Sequence, residues 1–363
     1  MAKALIFSDL HVHSHKGSIN RLQDCVNVLD WVFLQAAEHK CDYVFFLGDL
    51  FHERAKIDVM NYLRTFEVFM KHMIDDASHR QVYLLVGNHD MYHKERWDIN
   101  SIKPLSAIPG VHIVQSPLTI RIGGRDINWL PHTENPIKEL AHLKQDNDGK
   151  AGDLLLAHIA VHGALTNIFY GLRSDVIVEY DNDMIPLDVT MFDEWPMTIL
   201  GHYHGSQKLS DRVEYVGSPL QLSFGEAFQQ KHVIVLDLAT MEKTYVVNDF
   251  SPKHLIITSQ DVESENYDLS GNFVRVAVED LSRKDLIDLQ RRIASENQPL
   301  SIDIKKDDRK TVAEDTTVVD GMRVVLDNIK DQLEVWVKEK GVPDGLDTDR
   351  LLATGVKCLE KKT

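Results

Sequence analysis

Five short apolar runs early in the chain each stop abruptly at a carboxylate, an imidazole or an amide. The runs are Ala4–Phe7, Tyr43–Leu47, Val82–Val86, Leu154–Ala157 and Met197–Leu200. Asp9-Leu10-His11, Gly48-Asp49, Gly87-Asn88-His89-Asp90, His158 and Gly201-His202-Tyr203-His204 follow them in turn. Each run has a strand's length and is apolar at nearly every position, as expected of a strand buried on both faces. Helical patterns separate the first three. Leu22, Val26, Leu29, Val32, Phe33 and Ala36 share one face, and Tyr62, Phe66, Phe69, Met70 and Met73 share another. Strands buried on both faces and alternating with amphipathic helices fold as an α/β domain, with ligands gathered at the carboxyl ends of the strands.

After Pro104 the texture shifts to short strands at Val111–Val114, Leu118–Ile122 and Ile127–Leu130, and Val233–Leu238 and Thr244–Val247 close the region. A two-sheet sandwich flanked by helices accounts for both halves, and sets a first domain at residues 1–250. The 363-residue length exceeds what one core usually serves. From Ser251 the pattern restarts. Asn272–Val278 reads as a strand, Ser282–Ser295 as a helix capped by Ser282 with Asp285 three residues on, and Leu300–Ile304 as a strand. This β-α-β unit makes residues 251–310 an accessory domain. The polar stretch Lys305–Thr317 reads as a linker. Beyond it Met322, Val325, Leu326, Ile329, Leu333 and Trp336 recur at helical spacing, and Leu352, Val356 and Leu359 mark a second helix after a Gly341–Gly345 turn. Residues 311–363 are therefore a linker with C-terminal helices.

Composition narrows the functional classes. The chain is 43% apolar and 26% charged, ordinary for a soluble globular protein, and no apolar run approaches a membrane span. The N-terminus has no signal-peptide pattern, and Cys25, Cys41 and Cys358 are too few for a disulfide framework, so a reducing cytoplasm is the expected setting. The net charge of −16 argues against a protein that coats nucleic acid with a basic stripe. Half of it falls in residues 131–200, where 12 acidic and 4 basic residues leave −8, whereas residues 51–130 are nearly neutral with 9 acidic and 10 basic. Affinity for a polyanion would therefore depend on bound metal and on a partner.

The strand-end residues suit a metal. Aspartate, neutral imidazole and an asparagine oxygen favour Mn, Fe or Zn over Ca. In Asp-x-His and His-x-His on extended chain, residues i and i+2 point the same way and reach one centre. Asp49 is the natural bridge, since one carboxylate can bind two ions. His13, His15, His39, His72, His79 and His142 read as ordinary surface or hydrogen-bonded histidines. No Gly-x-Ser-x-Gly or Cys/His arrangement supplies a protein nucleophile, and no Walker A loop is present.

Taken in order, these motifs resemble the signature of the calcineurin-like binuclear metallophosphoesterases. Gly48-Asp49-Leu50-Phe51-His52 is further similar to the second motif of SbcD-type double-strand-break repair nucleases, and Tyr215-Val216-Gly217-Ser218-Pro219-Leu220-Gln221-Leu222-Ser223-Phe224 to the segment after their last metal motif. The likeness is close over residues 1–230 and looser beyond. It implies a four-layer α-β-β-α sandwich with a small β-α-β capping domain and a helical tail. It implies two divalent ions, most readily Mn²⁺, the first held by Asp9, His11, Asp49 and His204, the second by Asp49, Asn88, His158 and His202. The fourth motif holds both His158 and His162; His158 follows its buried run directly and is preferred. His89 would be the general acid or transition-state stabiliser, Asp90 would hold its imidazole, and His52 would place the DNA backbone.

The implied activity is Mn-dependent exonuclease and endonuclease cleavage of DNA, with an SbcC-type coiled-coil ABC ATPase as partner in end processing, repair and recombination. A phage-encoded subunit is compatible with the same pattern. A nucleotide or small-molecule phosphodiesterase on the same site is the alternative, and a non-catalytic scaffold is disfavoured by the complete ligand set. The C-terminal helices could dock on the ATPase or pack on their own domain. Val59–Met73 could form a homodimer surface within a heterotetramer or face the core.

Overall fold

A computed structural model of the chain describes residues 2–14, 19–74, 80–145, 149–167, 171–180, 183–263, 267–278, 283–306, 317–319 and 322–324. Among the described residues, fifteen strands build the three main sheets and four helices cover them. The strands are β1 (Lys3–Phe7), β2 (Tyr43–Phe46), β3 (Gln81–Leu85), β4 (Val111–Val114), β5 (Leu118–Ile122), β6 (Arg125–Leu130), β7 (Leu154–His158), β8 (Thr198–Gly201), β9 (Gln207–Lys208), β10 (Val213–Tyr215), β11 (Lys231–Asp237), β12 (Lys243–Asn248), β13 (His254–Thr258), β14 (Phe273–Val278) and β15 (Ser301–Lys306). The helices are α1 (Ile19–Glu38), α2 (Val59–Ile74), α3 (Pro136–Gln145) and α4 (Arg283–Asn297).

Two six-stranded sheets form the centre, in the orders β12-β11-β1-β2-β3-β4 and β9-β10-β8-β7-β6-β5. Strands β1 to β4 run parallel, with β11 and β12 antiparallel at one edge. In the second sheet β6, β7, β8 and β10 are parallel. The alternation along β1 explains why the run is apolar throughout. Leu5 and Phe7 pack beneath α1 and α2, whereas Ala4 and Ile6 pack between the sheets against Phe45, Trp129, Leu156 and Ile199. The outer face of the second sheet is covered by Leu140 and Leu143 of α3 with Phe192 and Trp195. Helix, sheet, sheet and helix thus make the four-layer mixed α/β sandwich that the sequence resemblance implies. Helix α1 closes with Lys40 in the left-handed region (φ 56°) and the Cys41 amide bonded to the Ala36 carbonyl at 2.8 Å.

Beyond Ser251, β13-β14-β15 form a parallel three-stranded sheet with its own core of Ile257, Val274, Val276, Leu289 and Ile293. Strand β13 was not anticipated by the sequence pattern. Strand β15 takes in Lys305 and Lys306, the first two residues of the anticipated linker, and Thr317, its last, opens a short strand; residues 307–316 lie outside the described residues. Met322 belongs to a short strand, Met322–Val324, paired with Thr317–Val319, and not to a helix. The rest of the anticipated tail helices lies outside the described residues. Among the described residues, no helix is long and apolar enough to cross a membrane.

Candidate metal centre

The predicted strand-end residues converge where β1, β2, β3, β7 and β8 stop. Four of them, Asp9 (φ 53°), His11 (φ 47°), Asp49 (φ 62°) and His202 (φ 105°), have the left-handed backbone that side chains rarely adopt. Backbone bonds hold these conformations. The Asp9 amide donates to the Gly48 carbonyl (2.9 Å), that of His11 to the Asp49 carbonyl (3.0 Å), and that of His202 to Asp9 Oδ2 (2.9 Å). Gly48 (φ 102°) and Gly87 lie against each other here, and a methyl on either would strike the other strand end.

Asp49 occupies the middle. Its Oδ2 lies 3.5 Å from His11 Nε2 and 3.4 Å from His158 Nε2, while Oδ1 accepts the His89 amide at 2.7 Å. On one side, Asp9 Oδ1 is 3.9 Å from His11 Nε2, which is 3.0 Å from His204 Nε2. On the other, Asn88 Oδ1 lies 2.9 Å from both His158 Nε2 and His202 Nδ1. His158 is oriented by donating Nδ1–H to the Leu47 carbonyl at 2.6 Å. His162 stands apart, 39% exposed and beside Asp175.

The electrostatics of this cluster call for a cation. Burial raises the Asp9 carboxyl, and the charge of Asp49 raises it further. Burial works the same way on Asp49, yet the adjacent His158 overrides it and holds that carboxyl well below its usual range. Burial alone would lower His158, but Asp49 lifts it to about 9. The pocket therefore draws a proton onto an imidazole to balance its carboxylates. His202, buried and facing His158, is lowered to about 3 and stays neutral. Asp9 Oδ1 is buried with no hydrogen-bond partner among the described residues, an uncompensated acceptor aimed into the cluster. A divalent cation meets these demands, and Asp9, His11 and His204, and separately Asp9, Asp49 and His158, are grouped closely enough to hold one.

The second-sphere expectations need one correction. Asp90 does not hold the His89 imidazole. Its Oδ2 accepts the amides of Asp49 (2.8 Å) and Gly87 (2.9 Å), and its Oδ1 accepts that of Leu50 (3.1 Å). The Gly-Asn-His-Asp turn points the Asp90 carboxylate back beneath Asp49, away from the adjacent ring. The His89 Nδ1–H donates instead to the His52 carbonyl at 2.5 Å. His52 and His89 stack with ring centroids 5.6 Å apart, and the ring of His13, an ordinary surface or hydrogen-bonded histidine in the sequence reading, packs tilted on His52 at 4.7 Å, its Nδ1–H donated to the His11 carbonyl.

Three neighbours escaped the sequence reading. His132 stacks on His202 at 6.0 Å, and burial together with His158 lowers it to about 4. It follows the Ile127–Leu130 run by two residues, so the strand-end rule applied a sixth time finds it. Arg54 steadies Asn88 by donating Nε–H to its carbonyl at 2.6 Å. Glu226 reaches His204 at 3.2 Å from a segment with no strand-end signal.

Residues 2–206 match the family model for the calcineurin-like phosphoesterases. The chain belongs to that family, whose members are metal-dependent phosphoester hydrolases. A curated viral relative, the 078R protein of Invertebrate iridescent virus 3, named only provisionally as a phosphoesterase, is 25% identical over 197 residues. That alignment takes in 52% of this chain and 50% of the relative, so this chain spans about half the length of the viral protein it matches. Among solved structures, a novel archaeal phosphodiesterase is 10% identical, with 68% of this chain and 99% of that one covered and a TM-score of 0.30. The TT1561 protein of Thermus thermophilus is 11% identical, with 68% and 98% covered and a TM-score of 0.41.

Proposed function

We propose that this chain is a Mn²⁺-dependent DNA exonuclease and endonuclease that hydrolyses phosphodiester bonds at a two-metal centre. The observation that carries the reading is the Asp49 carboxylate shared between two converging donor sets. Asp9, His11, Asp49 and His204 would hold one ion, and Asp49, Asn88, His158 and His202 the other. When bound, such ions polarise a phosphoryl oxygen and bring the pKa of coordinated water near neutrality.

The chain's own groups supply the rest. The His89 Nδ1–H is committed to the His52 carbonyl, which leaves Nε2 facing outward; as the imidazolium, His89 would give its Nε2 proton to the departing sugar oxygen and return to the neutral Nδ1–H tautomer. The packed rings of His13, His52 and His89 form a wall against which a sugar-phosphate backbone can lie. The deep burial of Asp9, Asp49 and His158 excludes water from all but the open face.

DNA rather than a small ester is favoured by the His52-bearing motif, by the Tyr215–Phe224 segment, and by the added β13-β14-β15 sheet. In this reading the chain works as a homodimer within a heterotetramer with an SbcC-type ABC ATPase, in the cytoplasm, during DNA end processing, repair and recombination. Residues 1–250 are the nuclease domain, 251–310 the capping domain, and 311–363 the partner-binding tail. Exposed apolar residues Val59 (80%), Met60 (51%) and Leu63 (46%) on α2 offer a dimer surface. The chain's net charge of −16 favours the second reading, a nucleotide phosphodiesterase on the same residues. End-labelled duplex and a dinucleotide diester, each with Mn²⁺ or Mg²⁺ and with or without the ATPase, separate the two. Degradation of the duplex is expected; turnover of the dinucleotide alone would establish the second reading.

A further inference from the structure

We propose that Glu226, held by Lys231, is the positioning residue that fixes the tautomer and donor strength of His204, and so sets the affinity of one metal position and not the other. The proposal rests on the reading of His204 as a metal ligand.

Glu226 ends the 3-10 turn Phe224–Glu226, whose entry is fixed by Ser223 Oγ accepting the Gly225 amide. Its side chain is 8% exposed, and it lies opposite Lys231 of β11, which is 5% exposed. Glu226 Oε1 is 3.2 Å from His204 Nδ1, and Oε2 is 2.7 Å from Lys231 Nζ. Oε2 also accepts from Ser218 Oγ and from the Leu222 amide, both at 3.2 Å. Lys231 Nζ donates to the His204 carbonyl at 2.8 Å, so the same ammonium anchors both the carboxylate and the backbone of the histidine it orients.

The chemistry follows from which nitrogen is engaged. A carboxylate accepts from Nδ1–H, which leaves the lone pair on Nε2, and His204 Nε2 is the nitrogen that meets His11 Nε2. A ligating imidazole whose second N–H faces a carboxylate is fixed in orientation and is a stronger donor. The other side of the centre is built differently. His158 donates its Nδ1–H to a neutral carbonyl, that of Leu47. The two metal positions thus receive imidazoles of unequal strength, and the inequality traces to one buried ion pair.

Two double variants of the full chain test this, each removing both charges so that neither is left buried alone. Mn²⁺ binding is followed by calorimetry, and the histidine tautomers of the metal-free protein by ¹⁵N-edited NMR. In Glu226→Ala/Lys231→Met, one of the two binding steps is expected to weaken by about 10–100-fold with the other unchanged, and the Nδ1–H signal of His204 is lost. Glu226→Gln/Lys231→Met keeps a neutral acceptor; it should retain the tautomer and weaken the same step by about three- to tenfold, the gap between charge-assisted and neutral hydrogen bonds. His204→Ala is the control. If it leaves both steps intact, the ligand assignment fails. If it abolishes one step while neither double variant changes it, the ligand assignment stands and the role of Glu226 is overturned. Should the alanine variant not fold, an unchanged glutamine variant suffices to overturn it.

Discussion

The Asp90 carboxylate is bonded to the backbone of Asp49, accepting its amide at 2.8 Å while also accepting those of Gly87 and Leu50. It therefore braces the turn that presents Asp49. Burial and the nearby Asp49 charge push the Asp90 carboxyl up to about 7, a cost that its three amide donors offset. Asp90→Ala leaves those buried amides unpaired and is expected to lower stability by about 2–4 kcal/mol, with weaker metal binding. Urea melts and metal titration check this. A variant with full stability and only slower turnover would return Asp90 to the role of orienting His89.

His89 and Asp49 should separate chemistry from assembly. His89→Gln is expected to keep its metal content while turnover falls by about 10²–10⁴-fold, the usual worth of a general acid. Asp49→Asn should lose both ions, because its Oδ2 faces both donor sets. Elemental analysis of the purified variants alongside a diesterase assay gives the answer. Retention of both ions by Asp49→Asn would remove the bridge from the centre.

Gly201 closes the joint between the sheets. A methyl there would run into Ser8 Oγ and the Leu47 carbonyl and lie 3.1 Å from His158 Nδ1. Gly201→Ala is expected to cost about 1–3 kcal/mol through overpacking and to displace His158 from Leu47. Thermal melts and metal affinity should fall together; a fully stable variant with normal affinity would show that the joint yields easily.

The accessory sheet should be sensitive to acid through His254. This residue is buried between Phe273, stacked at 4.8 Å, and the edge of Phe224. Burial, with Arg21 and Arg275 nearby and Glu226 opposing them, lowers it to about 3 from an ordinary value near 6.5. The unfolded chain takes up this proton first as pH falls below 6.5. His254 thus stabilises the fold above that value, and the contribution is lost between pH 6.5 and 3 at up to about 1.4 kcal/mol per unit. His254→Phe keeps the aromatic packing without the proton. Urea melts at pH 7.5 and 5 should show a smaller acid loss in the variant than in the wild type, and equal losses would refute the assignment.

Much of this was legible in the sequence, for a local reason. A strand buried on both faces must be apolar at successive positions, so β1, β2, β3, β7 and β8 announce themselves within a few residues. Their polar ends announce the site, and the fourth run even ranks His158 ahead of His162. The same rule reaches His132 once β6 is included. The short strands Leu165–Asn167, Leu172–Arg173, Ile177–Tyr180 and Asp183–Pro186, and likewise β9, gave no such signal, because they are two to four residues long and largely exposed.

By itself the sequence determined the layered α/β class, the strand ends and the residue types gathered there. What each side chain bonds to follows from how the strands and turns pack in three dimensions. Asp90 turns to amides 40 and 41 residues away rather than to its neighbour's ring, and His158 to a carbonyl 111 residues away. The pairing of Glu226 with His204 comes from β11 and a 3-10 turn packing together across the end of the sheet. Strand formation obeys a pattern of neighbouring residues, whereas a buried polar atom must find a partner wherever the folded chain supplies one. The strand ends can therefore be read in order along the sequence, and their hydrogen-bond partners cannot.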